Sequence, residues 1–249
     1  MMKMIIAPAK KMVENTDFFE GQSTPIFLED SKKILKYLKG KDYETLKKIW
    51  KCNDSLAELN YHRLQTMDLE NATTPAILAY TGLQYQAMAP DLFSKKGLKK
   101  VKNSLYILSG FYGLVRPFDK ITPYRLEMQA KVEIEGTKNL YDFWGNKIYQ
   151  EVFKDKEIVV NLASKEYAKV VEKYLQANDK YLTCSFKKKK GDKYVQQATA
   201  AKMARGDMVR YISENEIEDI ESLKKFTIGG YHYCENLSHD NELVFVKND

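Results

Sequence analysis

Only three cysteines occur in 249 residues, at Cys52, Cys184 and Cys234. They are odd in number and far apart, and no C-x-x-C joins them. That argues against a disulfide framework or a zinc module and fits a reducing compartment. Long apolar runs are lacking too. The opening "MMKMIIAPAK" is interrupted by Pro8 and Lys10, far short of the roughly 20 residues of a membrane helix, and too short for a signal peptide. A soluble, cytoplasmic protein with no membrane partner is expected. No P-loop, G-x-G-x-x-G, H-E-x-x-H or Ser-His-Asp order is present, so the common nucleotide-binding, zincin and triad chemistries find no support. Linkers rich in Pro, Gly or Ser and internal repeats are also missing, which leaves residues 1–249 to be read as one domain.

Arginine is the other scarcity. Against 35 lysines stand five arginines: Arg63, Arg116, Arg125, Arg205 and Arg210. Lysine is a mobile point charge, whereas guanidinium is a planar fork suited to carboxylates and phosphates. In a chain so biased to lysine, arginine marks places where geometry matters. The formal net charge of +6 is compatible with an anionic partner, although solubility alone accounts for a modest excess.

Hydrophobic periodicity gives a mixed α/β (α+β) chain without the regular alternation of a doubly wound sheet. Met4 to Ala7, "PAILAY", "SLYILSG" and "EIVVNLAS" read as buried strands. "DYETLKKIW", "NDSLAELNYHRLQTM", "DFWGNKIYQEVF", "KEYAKVVEKYL" and "TAAKMARGDMVRYISEN" read as helices, with Asn53 or Asp54 capping the second. "YLTCSFKKKKGDKYVQQ" reads as a hairpin turning at Gly191 and Asp192, and the chain closes on a pair of strands.

Loops that follow these strands are where a site is expected. They are Pro8-Ala9-Lys10, Gly82-Leu83-Gln84, Ser109 through Arg125, and Asn161 through Ser164. The longest carries Ser109, Tyr112, Arg116, Asp119, Tyr124, Arg125 and, just beyond, Glu127. Two readings stand side by side. In one, the arginines with Lys10 grip an anion while Asp119 or Glu127 serves as acid or base. In the other, Arg116–Asp119 and Arg125–Glu127 are ion pairs that hold a structural loop. On "AKMARGDMVRYI", Lys202, Arg205 and Val209 fall on one helical side with Arg210 nearby, and Met203, Met208 and Ile212 face inward. That cationic face fits either solvent or a phosphate backbone. The run Lys187 to Lys190 reads as protection of an exposed strand edge. His232, Cys234 and His239 lack the partners of a metal site, and neither metal nor cofactor is expected.

"IIAPAK", "LSGFYGLVRPFDKITPYRLEM", "LYDFWG", "NLASKEY", "AKMARG" and the closing "ELVF" resemble, in that order and over the whole chain, the bacterial YaaA family of peroxide-stress proteins. The resemblance implies a cytoplasmic protein made under hydrogen peroxide stress that limits free iron and so lessens DNA damage. It also implies a single domain of unusual topology with a basic cleft, binding duplex and branched DNA partly through a helix-hairpin-helix. The family-like positions include Lys10, Ser109, Tyr112, Arg116, Asp119, Tyr124, Arg125 and Glu127, then Asn161, Ser164, Tyr167, Lys202 and Arg205. One departure stands out. The helix-hairpin-helix candidate "IWKCNDSLAELNYHRL" has no glycine to let backbone amides approach a phosphate, and Glu58 stands where one is expected. Two hypotheses follow. The first is a non-enzymatic DNA-binding stress protein whose phosphate contacts are shared by Lys51, Arg63, Lys202, Arg205 and Arg210. The second is an enzyme acting on a small anionic or nucleoside-like ligand in a pocket of Lys10, Ser109, Tyr112, Arg116, Tyr124, Arg125, Asn161 and Ser164.

Overall fold

β1 (Met2–Ile6) and β3 (Leu105–Ser109) are buried at every residue, as strands are when both faces of a sheet are covered. The structure, a computed structural model, describes residues 2–248. Between these strands come α1 (Leu28–Lys39), α2 (Tyr43–Trp50), α3 (Asp54–Thr66), β2 (Thr74–Pro75), α4 (Ala76–Ala79), α5 (Leu83–Met88) and α6 (Lys95–Ser104). After β3 follow β4 (Gly113–Val115), β5 (Lys120–Ile121), α7 (Leu140–Trp144), α8 (Lys147–Phe153), β6 (Ile158–Leu162) and α9 (Lys165–Glu172). The chain ends with β7 (Tyr181–Lys190), β8 (Lys193–Val195), α10 (Ala198–Glu214), α11 (Ile220–Lys224), β9 (His232–Tyr233) and β10 (Glu242–Lys247).

The main sheet has the order β4-β3-β1-β6-β7-β10-β9, with β8 added to the end of β7. Its centre, β3-β1-β6-β7-β10, is parallel throughout, and the short strands β4, β8 and β9 pair antiparallel. This is a single mixed α/β domain with one core. β2 and β5 form a separate two-stranded ribbon. In a parallel sheet, the loops leaving the carboxyl ends of the strands gather at one edge, and here those of β1, β3 and β6 do so.

Most expected elements are present, including the Asn53 cap, whose side chain accepts from Leu56 N at 3.0 Å. "PAILAY" is a correction: Pro75 ends β2, Ala76–Ala79 is one helical turn, and Tyr80 makes an isolated bridge to Met12. A short run buried at every position has no period to read, and its amides are taken by other partners. Ala76 N donates to Asp119 O and Ile77 N to Pro117 O, each at 2.9 Å. The face assigned to α10 also needs correction: Met203 is 45% exposed and Val209 fully buried, so the inward side is Ala201, Ala204, Met208, Val209 and Ile212.

Candidate functional site

Two close approaches shape the site. A Cβ on Gly206 of α10 would lie 2.0 Å from Gln84 O, so the α10 and α5 backbones touch there because the side chain is hydrogen. A Cβ on Gly82 would meet that of Ala9 at 3.0 Å, which seats the start of α5 on the loop after β1. That loop is fixed further by Tyr85 Oη, which donates to Ala7 O at 3.0 Å, and by Thr81 N, which donates to Lys11 O at 2.9 Å.

These contacts leave a cavity of about 440 Å³, within the range of small-molecule sites. Ala7 to Lys11 form one wall, Thr81 to Tyr85 a second, and Tyr124 to Glu127 a third. Ser164, Glu166 and Tyr167, from the start of α9, and Lys202 and Arg205, from α10, complete the lining. Five cationic side chains line it against two carboxylates, so the cleft is basic. All four expected loops reach it: Pro8 to Lys10 and Gly82 to Gln84 in full, and the other two through their last residues, Tyr124 with Arg125 and Ser164.

The polar groups on these walls are unevenly satisfied. Glu127 is paired with the ammonium of the exposed Lys10. Gln84 is 7% exposed, yet its Nε2 has no hydrogen-bond partner. Nε of Arg125, Nε of Arg205 and Oγ1 of Thr81 are likewise buried and unpartnered. Burial depresses the Arg205 guanidinium from its usual value, with Cys184 the neighbour that opposes the shift. Burial also pushes the Glu166 carboxyl up; a backbone amide of Gln129, 3.3 Å away, only partly offsets it. An unmade hydrogen bond to a buried donor costs its desolvation, and the four residues that carry these atoms all line this one cavity.

Beneath the cavity lies a hydroxyl chain. Ser109 Oγ accepts from the amides of Phe111 (3.2 Å) and Tyr112 (2.8 Å), which fills both lone pairs. Its proton therefore points to Tyr124 Oη, 2.6 Å away, and the Tyr124 proton to Tyr80 Oη at 2.9 Å. Tyr124 is stacked on Phe111, with ring centroids 5.1 Å apart. Burial raises its phenol well above the usual range.

A sequence model described as peroxide stress protein YaaA matches residues 2–237. The chain belongs to the YaaA family. Among its relatives, a UPF0246 protein of Ligilactobacillus salivarius is 58% identical over 247 residues, covering 99% of this chain and all of that one. UPF0246 proteins of Pediococcus pentosaceus (51%, over all of this chain and 99% of that one) and Agathobacter rectalis (50%, over 99% of both) align over the same extent. The match to the YaaA family model thus spans the fold up to β9, and the alignments to these relatives cover nearly the whole chain.

Within this YaaA-family chain the five arginines divide sharply. Arg116 grips Asp119, which is fully buried and accepts from Arg116 N (2.8 Å) and Nε (3.0 Å) and from Ser23 Oγ (2.6 Å), with Arg116 Nη2 ion-paired to it at 2.8 Å while donating to Thr24 O. Neither lines the cavity, and a carboxylate so saturated has no room to act as acid or base. Arg210 donates to the carbonyls of Met88, Ala89 and Leu92 at 3.1–3.3 Å, holding the end of α5. Arg63 donates to Met12 O at 3.2 Å. Only Arg125 and Arg205 make no ion pair or side-chain hydrogen bond among the described residues, and both line the cavity.

Of the expected pocket residues, Lys10, Tyr124, Arg125 and Ser164 line the cavity with Glu127, whereas Ser109, Tyr112, Arg116 and Asn161 stand behind it. Tyr112 Oη bonds Thr122 Oγ1 at 3.1 Å; Asn161 Oδ1 accepts from Ala163 N at 2.9 Å and fixes the loop before α9. Lys202 and Arg205, expected on a DNA face, are cavity residues, and Lys51 is exposed on the turn between α2 and α3. Thr81, Tyr85 and Glu166 were missed. Glu166 lies inside the quoted "NLASKEY", and the loop holding Gln84 was marked, but nothing local tells which side chain faces in. Among the described residues no group of three or more His, Cys, Asp or Glu comes together as metal ligands, and no helix is long and apolar enough to cross a membrane.

Proposed function

We propose that this chain serves the peroxide-stress response by taking a small anionic, nucleoside-like ligand into the cavity between Lys10, Arg125 and Arg205. One observation carries the reading: Gln84, Arg125 and Arg205 all line a single cavity, and each keeps a buried donor with no protein partner. A phosphate or carboxylate accepts from such donors at charge-assisted strength, and the unused forks of two arginines match its geometry.

Duplex DNA is the second reading, supported by the exposed ammonium groups of Lys51 and of Lys202 at the cavity rim. Arg63 and Arg210 add little to it, because their guanidinium groups are engaged with backbone carbonyls. Titration calorimetry with nucleoside monophosphates, beside a duplex-DNA shift assay, separates the two. Saturable mononucleotide binding lost in Arg125→Ala and Arg205→Ala is expected. Absence of mononucleotide or phosphate binding, with duplex affinity that depends on Lys51 and Lys202, would replace the first reading with the second.

A further inference from the structure

The cavity lining carries two chemically different sets of groups. Gln84 Nε2 and Arg205 Nε come from the tightly packed α5 and α10 and offer only donors. Glu127 and Glu166, which also line it, offer only acceptors. They interact electrostatically with each other and share Lys10 as the nearest cation. Lys10 is ion-paired with Glu127, while Glu166 makes no ion pair among the described residues; backbone amides, that of Gln129 at 3.3 Å and that of Met128, are what bear on it. Partly buried beside Glu127, that carboxylate keeps acceptor capacity for a further donor. Tyr124 and Tyr167 line the cavity too, and the Tyr167 phenol senses both carboxylates.

A bare phosphate would satisfy the donors and leave Glu166 unmatched. From this arrangement we infer that the ligand is a nucleoside monophosphate with an amino-bearing base: its phosphate sits on Arg125, Arg205 and Gln84, and its exocyclic amino group donates to Glu166. The inference rests on the anion-pocket reading above and adds the identity of the ligand's far end. A carboxylate accepts from the N4 amino group of cytosine, as it does in groove recognition, whereas the O4 of uracil would oppose it lone pair to lone pair. Adenine and hypoxanthine differ in the same way at position 6. The aromatic walls give the base a stacking surface without choosing among bases.

Calorimetry with matched pairs tests this directly: CMP against UMP and AMP against IMP, with ribose 5-phosphate and inorganic phosphate as controls. At least one amino member is expected to bind 10-fold or more tighter than its keto partner. Glu166→Gln should reduce that ratio to about one while phosphate affinity stays within twofold. Glu127→Gln is the second variant, needed if the first melts below the assay temperature; it should weaken the preference partially. Equal binding within both pairs, or nucleotides no tighter than ribose 5-phosphate, would overturn the assignment and leave the anion pocket standing. Failure of every anion, inorganic phosphate included, would remove the pocket reading itself.

Discussion

Arg116 and Arg125 lie nine positions apart in the same loop and do opposite things. Removing the Arg116 side chain strands a fully buried Asp119 with only Ser23 Oγ and one backbone amide for company. Breaking a buried pair in this way costs about 3 kcal/mol. Arg125 has no protein partner to lose, so Arg125→Ala should move the melting temperature little while ligand binding disappears. Chemical denaturation of both variants checks the contrast, and equal destabilisation would show that Arg125 is also a clasp. Glu166 makes a pH-dependent prediction. Burial raises its carboxyl above the ordinary 4.5, so the folded state holds this proton more tightly than the unfolded chain. Its contribution is therefore full at pH values below about 4.5 and is lost as pH rises through the higher folded value. The stability of Glu166→Gln relative to the parent should grow across that window; a flat or falling difference would contradict it.

At the scale of elements, α10 against α5 is the contact on which the cavity depends. Gly206→Ala would gain about 1 kcal/mol of helix propensity. The new methyl, however, would sit 2.0 Å from Gln84 O and 2.9 Å from Met88 N, backbone atoms that cannot swing aside. Overpacking of this kind costs about 3 kcal/mol, so the clash wins and the variant should be less stable by about 2 kcal/mol. Because relief requires α5 to move off α10, Gln84 and Arg205 should separate and mononucleotide affinity should fall as well. A variant as stable as the parent would mean that the two helices slide freely. The turn between α2 and α3 shows a related economy of glycine. Lys51 itself takes the left-handed conformation (φ 45°) that glycine would adopt more readily. The glycine-free motif thus makes its turn with a lysine in place of a glycine.

For the molecule as a whole, the sequence showed where polar groups would collect but not which would stay free. β1, β3 and β6 were legible because continuous apolar runs such as "EIVVNLAS" suit a parallel sheet, and their trailing loops marked the edge that carries the cavity. The division of the arginines was not legible. Arg210 and Arg205 sit five residues apart on one helix, and only tertiary packing turns one onto the carbonyls of α5 and leaves the other facing the cavity. Cysteine chemistry belongs to this scale too, because a peroxide-stress protein invites a thiol explanation. Cys52, Cys184 and Cys234 lie on separate parts of the fold, and none lines the cavity. Cys184 is buried on β7, and burial pushes its thiol up to about 12, so almost no reactive thiolate exists at neutral pH. The protective action should therefore be independent of thiol oxidation. A triple variant, Cys52→Ser, Cys184→Ala and Cys234→Ser, is expected to keep peroxide protection in cells, whereas Arg125→Ala, with its thiols intact, should lose it. Intact-mass spectra of the wild-type protein should show no added oxygen on Cys184 after a brief peroxide pulse. Loss of protection in the triple variant, with its melting temperature preserved, would move the peroxide chemistry from the ligand cavity to the thiols.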